Sequence, residues 1–447
     1  MQNTQAQYPS AKYGWYMVVL LTIAYVFSFI DRYILGFLAE PIQNDLGITD
    51  TQMGLLLGPA FGIFYATMGL PLGLLADRKR RTWIVAAGAI VWSAATALTG
   101  LAKSFLHLFI ARISVGIGEA TLSPCAMSMI SDSFPPERRG RPIGFYTTAL
   151  SIGGGIAALL SAGVLSMTKT NVTLPLVGEL APWQFTFILV GLPGILMGLL
   201  FLTLPEPPRQ KIAHASSKEK SNLIDMFNHV LSRWKIFGSF ISFVCLMMIV
   251  AYSHGFAALV YKRTWGWEND FFALVNGIVL LTAGPITVNY AGYLSDKLFG
   301  KGRVDAPLLI LIAGAFVLVP TGVLFPLMPT PWVAVAVMFI NTVGIAMASA
   351  TGVTALLNIT PDDIKGQTVA FYYMVASMCG LFLGPTMVGV FSDHVFGTDK
   401  LNYAMAAVPF VFGLPVLALA PFAHKAYMRE FRKIHGDGDT LQGTTSA

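Results

Sequence analysis

Long apolar segments recur along the whole chain and are separated by short polar connections. Each segment has about the length that an α-helix needs to cross a membrane, roughly 20 residues. Helices also satisfy their own backbone hydrogen bonds in lipid. The pattern therefore predicts an all-α membrane protein with twelve transmembrane helices. The predicted spans lie near residues 13–38, 49–75, 82–101, 104–132, 140–166, 183–204, 234–261, 269–294, 304–327, 332–357, 365–391 and 401–423.

Composition agrees with this pattern. The chain of 447 residues is 55% hydrophobic and only 12% charged, whereas soluble domains carry about 25% charged residues. The three cysteines are odd in number and lie within predicted spans, so no disulfide framework is expected. The sequence contains no phosphate-binding loop of the Gly-x-x-x-x-Gly-Lys-Ser/Thr type. It therefore predicts transport driven by a gradient, with no cofactor, no metal and no enzymatic reaction.

Basic residues are distributed unevenly between the two sides of the membrane. If both termini and the even-numbered connections are cytoplasmic, that side carries 22 lysines and arginines and the other side carries five. This asymmetry predicts a plasma-membrane (inner-membrane) protein with both ends in the cytoplasm. It also explains the net charge of +6 without a nucleic-acid partner.

Two internal matches predict that the chain is a duplication. A Gly-x-x-x-Asp-basic pattern follows span 2 at Gly73–Arg78 and returns after span 8 at Gly292–Lys297. A second match pairs Pro135–Gly140 with Pro361–Gly366. Parallel repeats of this kind build many transporters. The predicted organisation is a six-helix bundle at 1–204, a cytoplasmic linker with a short amphipathic helix at 205–233, a second bundle at 234–424 and a cytoplasmic tail at 425–447.

Four charged residues lie inside the first bundle, at Asp31 and Arg32 in span 1 and at Arg112 and Glu119 in span 4. Counting from the outer boundary at about 1.5 Å per residue places Asp31 and Arg112 at the same depth, so we expect them to be in contact. Glu119 should lie two turns deeper. Ionisable residues at membrane depth are costly and usually face a cavity or the bundle interior.

Their chemistry predicts proton coupling. Two acids and two bases have zero net charge, which makes their burial tolerable, and protonating either acid disturbs that balance. We therefore expect Asp31 and Glu119 to bind protons, and Arg32 and Arg112 to hold them or an anionic group of the substrate. The alternative is a static charge network that only fixes helix packing.

The repeated Gly-x-x-x-Asp-basic pattern predicts a gate. Asp77 and its repeat mate Asp296 each end a span, beside a basic connection. Either aspartate could accept hydrogen bonds from the next helix N-terminus or from the 4–5 connection. The predicted gating residues are Asp77, Arg78, Arg138, Arg141 and Asp296. The alternative is that the basic connection has no gating role and only sets the orientation of the protein in the membrane.

The second half offers apolar rather than charged side chains. Its spans are rich in Met and Phe, such as Met247, Phe256 and Met338, and His254 is a further polar residue within a span. One apolar and one charged wall would suit a substrate with a polar head and an apolar tail.

These motifs resemble the major facilitator superfamily over nearly the whole chain. Within it, Ile30-Asp31-Arg32-Tyr33, Arg112 to Ala120 and the Asp132-x-Phe134-Pro135 end of span 4 resemble the spinster family. That resemblance implies two bundles with alternating access, and proton-linked transport of lysolipids or sphingolipid-like amphiphiles by a monomer in contact with membrane lipids. It also implies coupling roles for Asp31, Arg112 and Glu119, with Arg32 as their partner.

The anion–cation symporter family is the competing resemblance. It shares Asp-Arg on span 1 and Arg-x6-Glu on span 4, and it implies a sugar-acid substrate that enters with protons. A scaffold or receptor without transport activity is a third reading, which the four intramembrane charges disfavour.

Overall fold

The computed structural model describes residues 8–135, 138–175, 178–209, 230–361 and 364–435. The amphipathic helix expected in the linker and the last part of the predicted tail fall at 210–229 and 436–447, outside the described residues. The side chain of Asp77 is likewise not described.

By its contacts the chain divides into two compact units. The first comprises Met1–Ser216 with Gly255–Leu281, and the second comprises Ser217–His254 with Thr282–Ala447. The division into two six-helix bundles at 1–204 and 234–424 stays a prediction.

Helices form almost all of the regular structure in the described residues before the linker. A two-stranded antiparallel hairpin, β1 (Val172–Leu174) and β2 (Gly178–Leu180), joins the last two of these helices. The helices are α1 (Ala11–Phe37), α2 (Ala39–Leu46), α3 (Asp50–Leu57), α4 (Pro59–Arg78), α5 (Arg81–Thr99), α6 (Phe105–Glu119), α7 (Leu122–Ser133), α8 (Gly140–Met167) and α9 (Pro182–Leu202).

Helices also dominate the described residues after the linker. They are α10 (Trp234–Tyr252), α11 (Ala257–Trp265), α12 (Asn269–Gly300), α13 (Ala306–Leu324), α14 (Pro331–Asn358), α15 (Lys365–Phe391) and α16 (Leu401–His435).

Eleven helical segments among the described residues are long and apolar enough to cross a membrane. The predicted span at 49–75 is occupied by α3 and α4, which meet at Gly58. Span 4 is interrupted at Ala120–Thr121, between α6 and α7. Span 7 is interrupted by the 3-10 turn Ser253–Phe256, between α10 and α11. The sequence predicted unbroken helices at these three places.

Several of the Met and Phe side chains expected to line an apolar wall are instead packed in the interior. Met247 is part of the core of the second unit. Phe256 and Met338 are also buried, at 1% and 5% exposure. These three side chains contribute to stability by burial.

One close helix contact fixes the interruption in span 4. A Cβ atom added at Gly88 of α5 would lie 2.0 Å from Thr121 Oγ1 and 2.8 Å from the Gly118 carbonyl oxygen. The Thr121 hydroxyl already donates to that carbonyl at 2.7 Å. Only glycine at position 88 therefore lets α5 approach the segment that carries Glu119.

We predict that Gly88→Ala lowers the thermal stability of the detergent-solubilised protein. Overpacking of a close contact costs about 1–3 kcal/mol, and the atoms opposed here include backbone. The matched control is Gly144→Ala in α8, where an added Cβ meets nothing within 4 Å. Equal melting temperatures for the two variants would contradict the packing argument.

Candidate functional site

A buried ion pair joins α1 to the end of α6. Arg32 donates from Nε to Glu119 Oε2 at 2.7 Å, and its Nη2 lies 2.6 Å from the same oxygen. Ser28, one turn before Arg32 on α1, donates its hydroxyl to Oε2 at 2.6 Å. The Glu119 side chain is fully buried, whereas that of Arg32 is 22% exposed.

Aromatic rings surround the Arg32 guanidinium. Its central carbon lies 4.6 Å from the ring centre of Tyr65, 4.8 Å from that of Phe61 and 5.5 Å from that of Phe29. Cations within about 6 Å of a ring face are stabilised by its quadrupole, more so when they are desolvated. The rings therefore stabilise the guanidinium in addition to its ion pair.

Asp31 and Arg112 are brought together, but not as the expected side-chain pair. Arg112 Nη1 donates to the backbone carbonyl oxygen of Asp31 at 3.2 Å. Both residues are buried, and no ion pair within 4.0 Å joins the Asp31 carboxyl to another described residue. Span 4 therefore contributes the carboxylate of the ion pair, and span 1 contributes its cation.

The two oxygens of Glu119 have different surroundings. Oε2 accepts from both Arg32 and Ser28, whereas Oε1 is buried with no hydrogen-bond partner among the described residues. A proton could bind Oε1 without displacing a donor from Oε2. We call Ser28, Arg32 and Glu119, with the rings of Phe61 and Tyr65, the charge site.

Sequence reasoning identified the two charged members of the charge site and missed the other three. Ser28 lies four residues before Arg32, a helical spacing that puts both on one face of α1. That spacing was a usable signal. Phe61 and Tyr65 have the same spacing on α4, but many apolar residues do, so nothing in the sequence distinguished them.

Four of the five predicted gating residues have described side chains, and these four lie at the surface. Arg78, Arg138, Arg141 and Asp296 are exposed, and no ion pair joins any of them to another described residue. Their gating roles stay predictions.

Another arginine of the same basic connection organises this end of the first unit. Arg81, only 1% exposed, begins α5 and forms ion pairs with Asp132 of α7 and Glu206 after α9. It also donates to the Ser128 hydroxyl at 2.8 Å and to the Pro207 carbonyl at 2.9 Å. The sequence predicted the Asp132 motif but did not connect it to Arg81.

The segment after α9 also caps two helices. Glu206 accepts from the Thr82 backbone N–H at 3.1 Å at the start of α5. Arg209 donates to the carbonyls of Ala76 and Lys79 at 2.7 Å at the end of α4. Burial of the Glu206 carboxyl favours a higher pKa, but the hydrogen bonds from Arg81 and Thr82 outweigh it and lower the pKa.

A third charged cluster lies at the opposite end of the first unit. Arg263 of α11 donates from Nη1 to Asp50 Oδ2 at 2.8 Å and from Nη2 to Gln43 Oε1 at 3.0 Å. Gln43 in turn donates to Asp50 at 2.7 Å. Asp50 is 1% exposed, so the pair ties α11 firmly to α2 and α3. The sequence assigned no role to these residues.

His254 lies in the interruption of span 7. Its Nδ1 is 2.8 Å from the Ala251 carbonyl, and its ring lies 5.2 Å from that of Phe325. Across the described residues, no group of three or more His, Cys, Asp or Glu has a geometry that could hold a metal ion.

We predict that Glu206→Gln lowers the melting temperature at pH 7. A carboxyl whose pKa is depressed by folding stabilises the native state above its unfolded value, near 4.5 here, and loses that contribution as the pH falls through its folded pKa. The difference between variant and parent should therefore narrow below about pH 4.5. Glu179→Gln, at an exposed hairpin position, is the control, and a difference that does not vary with pH would contradict the assignment.

Comparisons with known proteins agree with a membrane transporter. The family model described as the Major Facilitator Superfamily matches residues 21–385. An MFS-type efflux pump of Mycolicibacterium smegmatis is 26% identical over 87% of this chain and 86% of its own length. A hexuronate transporter of Bacillus subtilis is 24% identical over 94% of this chain and 95% of its own length. Protein spinster of Drosophila melanogaster is 23% identical over 85% of this chain and 62% of its own length.

Solved structures with a similar fold include a bacterial homologue of the human lysosomal transporter Spinster. Its inward-facing, unoccupied conformation has a TM-score of 0.79 at 24% identity, covering 94% of this chain and 99% of the other. Its occupied conformation has a TM-score of 0.77 at 25% identity, covering 98% and 100%.

Proposed function

This chain belongs to the major facilitator superfamily of membrane transporters, and we propose that it moves an anionic, amphipathic organic substrate together with protons. The observation that carries the proposal is the buried Arg32–Glu119 pair, in which only the arginine is partly exposed. An anion that reaches this site therefore meets Arg32 first, with Glu119 as its competitor.

Protonation of Glu119 links the two ligands. While Glu119 is ionised it occupies Arg32, and a second anion there would leave the site with an excess of negative charge. A proton on the free oxygen Oε1 removes that charge while Oε2 keeps its donors. Arg32 then requires a new counter-anion, which the substrate supplies. Proton and anion bind in the same state, so they move in the same direction.

Asp31 and Arg112 complete the proposed charge balance. A buried charge without a partner is costly, so a neutral Asp31 leaves Arg112 as the second cation of the cluster. The Asp31 carbonyl oxygen holds Arg112 beside the charge site. We assign Asp31 the role of a second proton site and Arg112 that of an auxiliary anion-binding group.

The aromatic rings favour a substrate with an apolar part. Phe29, Phe61 and Tyr65 lie around the only partly exposed cation of the charge site, so an anion on Arg32 would have rings as its nearest neighbours. An acidic lysolipid such as lysophosphatidylglycerol has an anionic head beside an acyl chain and suits such surroundings. The resemblance of the span-1 and span-4 motifs to the spinster family implies the same substrate class.

A sugar acid is the second candidate. The similarity to a hexuronate transporter extends over 94% of this chain, and an Arg32 released from Glu119 would bind a carboxylate equally well. The two substrate classes differ in the hydrogen bonds that they require. A sugar acid needs several hydrogen-bonding groups of the protein around its ring, one for each of its hydroxyls.

We predict that Glu119→Gln strongly weakens the dependence of transport on pH. Glutamine has nearly the same shape and can still accept from Ser28 and Arg32, but it never carries charge, so Arg32 stays available at every pH. The measurement is uptake of lysophosphatidylglycerol and of glucuronate into proteoliposomes with and without an imposed pH gradient. The matched control is Glu268→Gln, at an exposed residue paired with Lys262. Wild-type pH dependence in Glu119→Gln would refute the coupling role.

We predict that Arg32→Lys weakens binding of the transported anion. Lysine keeps the charge but lacks the planar fork that binds an anion at two points and stacks on rings. Loss of one charge-assisted hydrogen bond, about 1.5–3 kcal/mol, corresponds to roughly a ten- to hundredfold loss of affinity. Ligand-induced shifts in melting temperature measure this for lysophosphatidylglycerol and glucuronate separately. Arg80→Lys serves as the control, and unchanged affinity for both ligands would exclude Arg32 as the anion ligand.

A further inference from the structure

The last helix is much longer than a membrane crossing requires. α16 has 35 residues, and at 1.5 Å per residue it extends about 52 Å, against roughly 30 Å for the hydrocarbon core. Phe422, which is 66% exposed, is the last large apolar side chain on its outer surface before a run of basic residues. The remainder of the helix, up to His435, therefore continues beyond the hydrocarbon core.

Eight exposed side chains of this helix form one continuous stripe. They follow each other at intervals of three or four residues, which places them on a single face. The stripe is apolar at first and becomes basic after Phe422. Its members are Val411, Leu414, Ala418, Phe422, Lys425, Arg429, Arg432 and the adjacent Lys433. The lipid-facing apolar surface therefore continues directly into a positively charged surface on the same face of the helix.

Among the residues that the structure describes, no acidic side chain pairs with the basic part of the stripe. Lys425, Arg429, Arg432 and Lys433 are exposed, and no ion pair joins them to any other described residue. Glu430 is the one acid on this part of α16, and it is fully buried in an ion pair with Arg233. The helix therefore hides its negative charge and presents its positive charges outward.

A neighbouring tryptophan indicates the level of the membrane surface. Trp234 begins α10 and is 60% exposed, directly after the arginine that pairs with Glu430. Tryptophan is enriched at the level of lipid headgroups. Because Arg233 contacts α16 at Glu430, the basic part of the stripe lies at about the same level as Trp234.

We propose that Lys425, Arg429, Arg432 and Lys433 bind the headgroup phosphate of an anionic phospholipid in the leaflet on the predicted cytoplasmic side. These residues lie side by side on successive turns of α16, on an open surface that also includes His424 and Met428. Arginine binds phosphate at two points, and basic clusters directly beyond a transmembrane helix attract anionic lipid. Acyl chains of the same lipid would lie on Phe422 and Leu414, which a soluble partner would leave uncovered.

The experiment is native mass spectrometry of the full-length protein released from nanodiscs of phosphatidylcholine and phosphatidylglycerol. We expect K425Q/R429Q/R432Q/K433Q to retain at least about fivefold less phosphatidylglycerol than the parent, with phosphatidylcholine unchanged. The control is K12Q/K79Q/K297Q/K301Q, which removes the same charge from exposed lysines on the same predicted side. It should retain phosphatidylglycerol like the parent.

A charge-preserving variant, R429K/R432K, separates the role of charge from a change in helix structure. It should keep most of the bound phosphatidylglycerol. Unchanged phosphatidylglycerol retention in the quadruple glutamine variant would overturn the proposal. An equal loss of phosphatidylglycerol in the control would also overturn it, because net charge alone would then explain the retention. Displacement of phosphatidylglycerol by an equal concentration of inorganic phosphate would also overturn it, because it would indicate a site for free anions.

Discussion

The burial of Glu119 beside Arg32 is the constraint on which the charge site depends. A carboxylate with no exposed surface is tolerable inside a membrane bundle only while a cation stays within hydrogen-bonding distance. The pair therefore fixes the rotation of α1 relative to α6, since Ser28 and Arg32 must both reach one oxygen. Any change in the charge of Glu119 must be compensated at Arg32, and the proposed link between protonation and anion binding follows from that requirement.

Membrane spans and the identity of the charged residues follow from the sequence, whereas their pairing does not. Depth along a helix can be counted at a fixed rise, so Asp31 and Arg112 were expected at one level, and their contact through the Asp31 carbonyl agrees with that depth. Rotation about the helix axis is set by packing. Adjacent residues point about 100° apart. Packing turns Arg32 toward the carboxylate of span 4, and Arg112 contacts the backbone carbonyl of Asp31 and not its carboxyl.

Interruptions of the spans were beyond sequence reasoning for a related reason. Gly88 and Gly118 are two of 43 glycines, and only the approach of α5 to Thr121 shows why the chain needs glycine at position 88. Similarly, four consecutive basic residues lie in the connection between predicted spans 2 and 3, and hydropathy does not distinguish one from another. Arg81 alone is buried, because Asp132 and Glu206 approach it from segments distant in sequence.

The positions of arginine and lysine in this protein reflect how each is hydrated. Arg81 and Arg112 are buried and Arg32 is nearly so, whereas no lysine is buried among the described residues. A guanidinium is weakly hydrated, stacks on rings and divides its donors among several acceptors, so it tolerates burial next to Phe61. An ammonium group loses more hydration free energy on burial. Lysine and arginine therefore occur together on the exposed stripe of α16, whereas the charge site contains arginine alone.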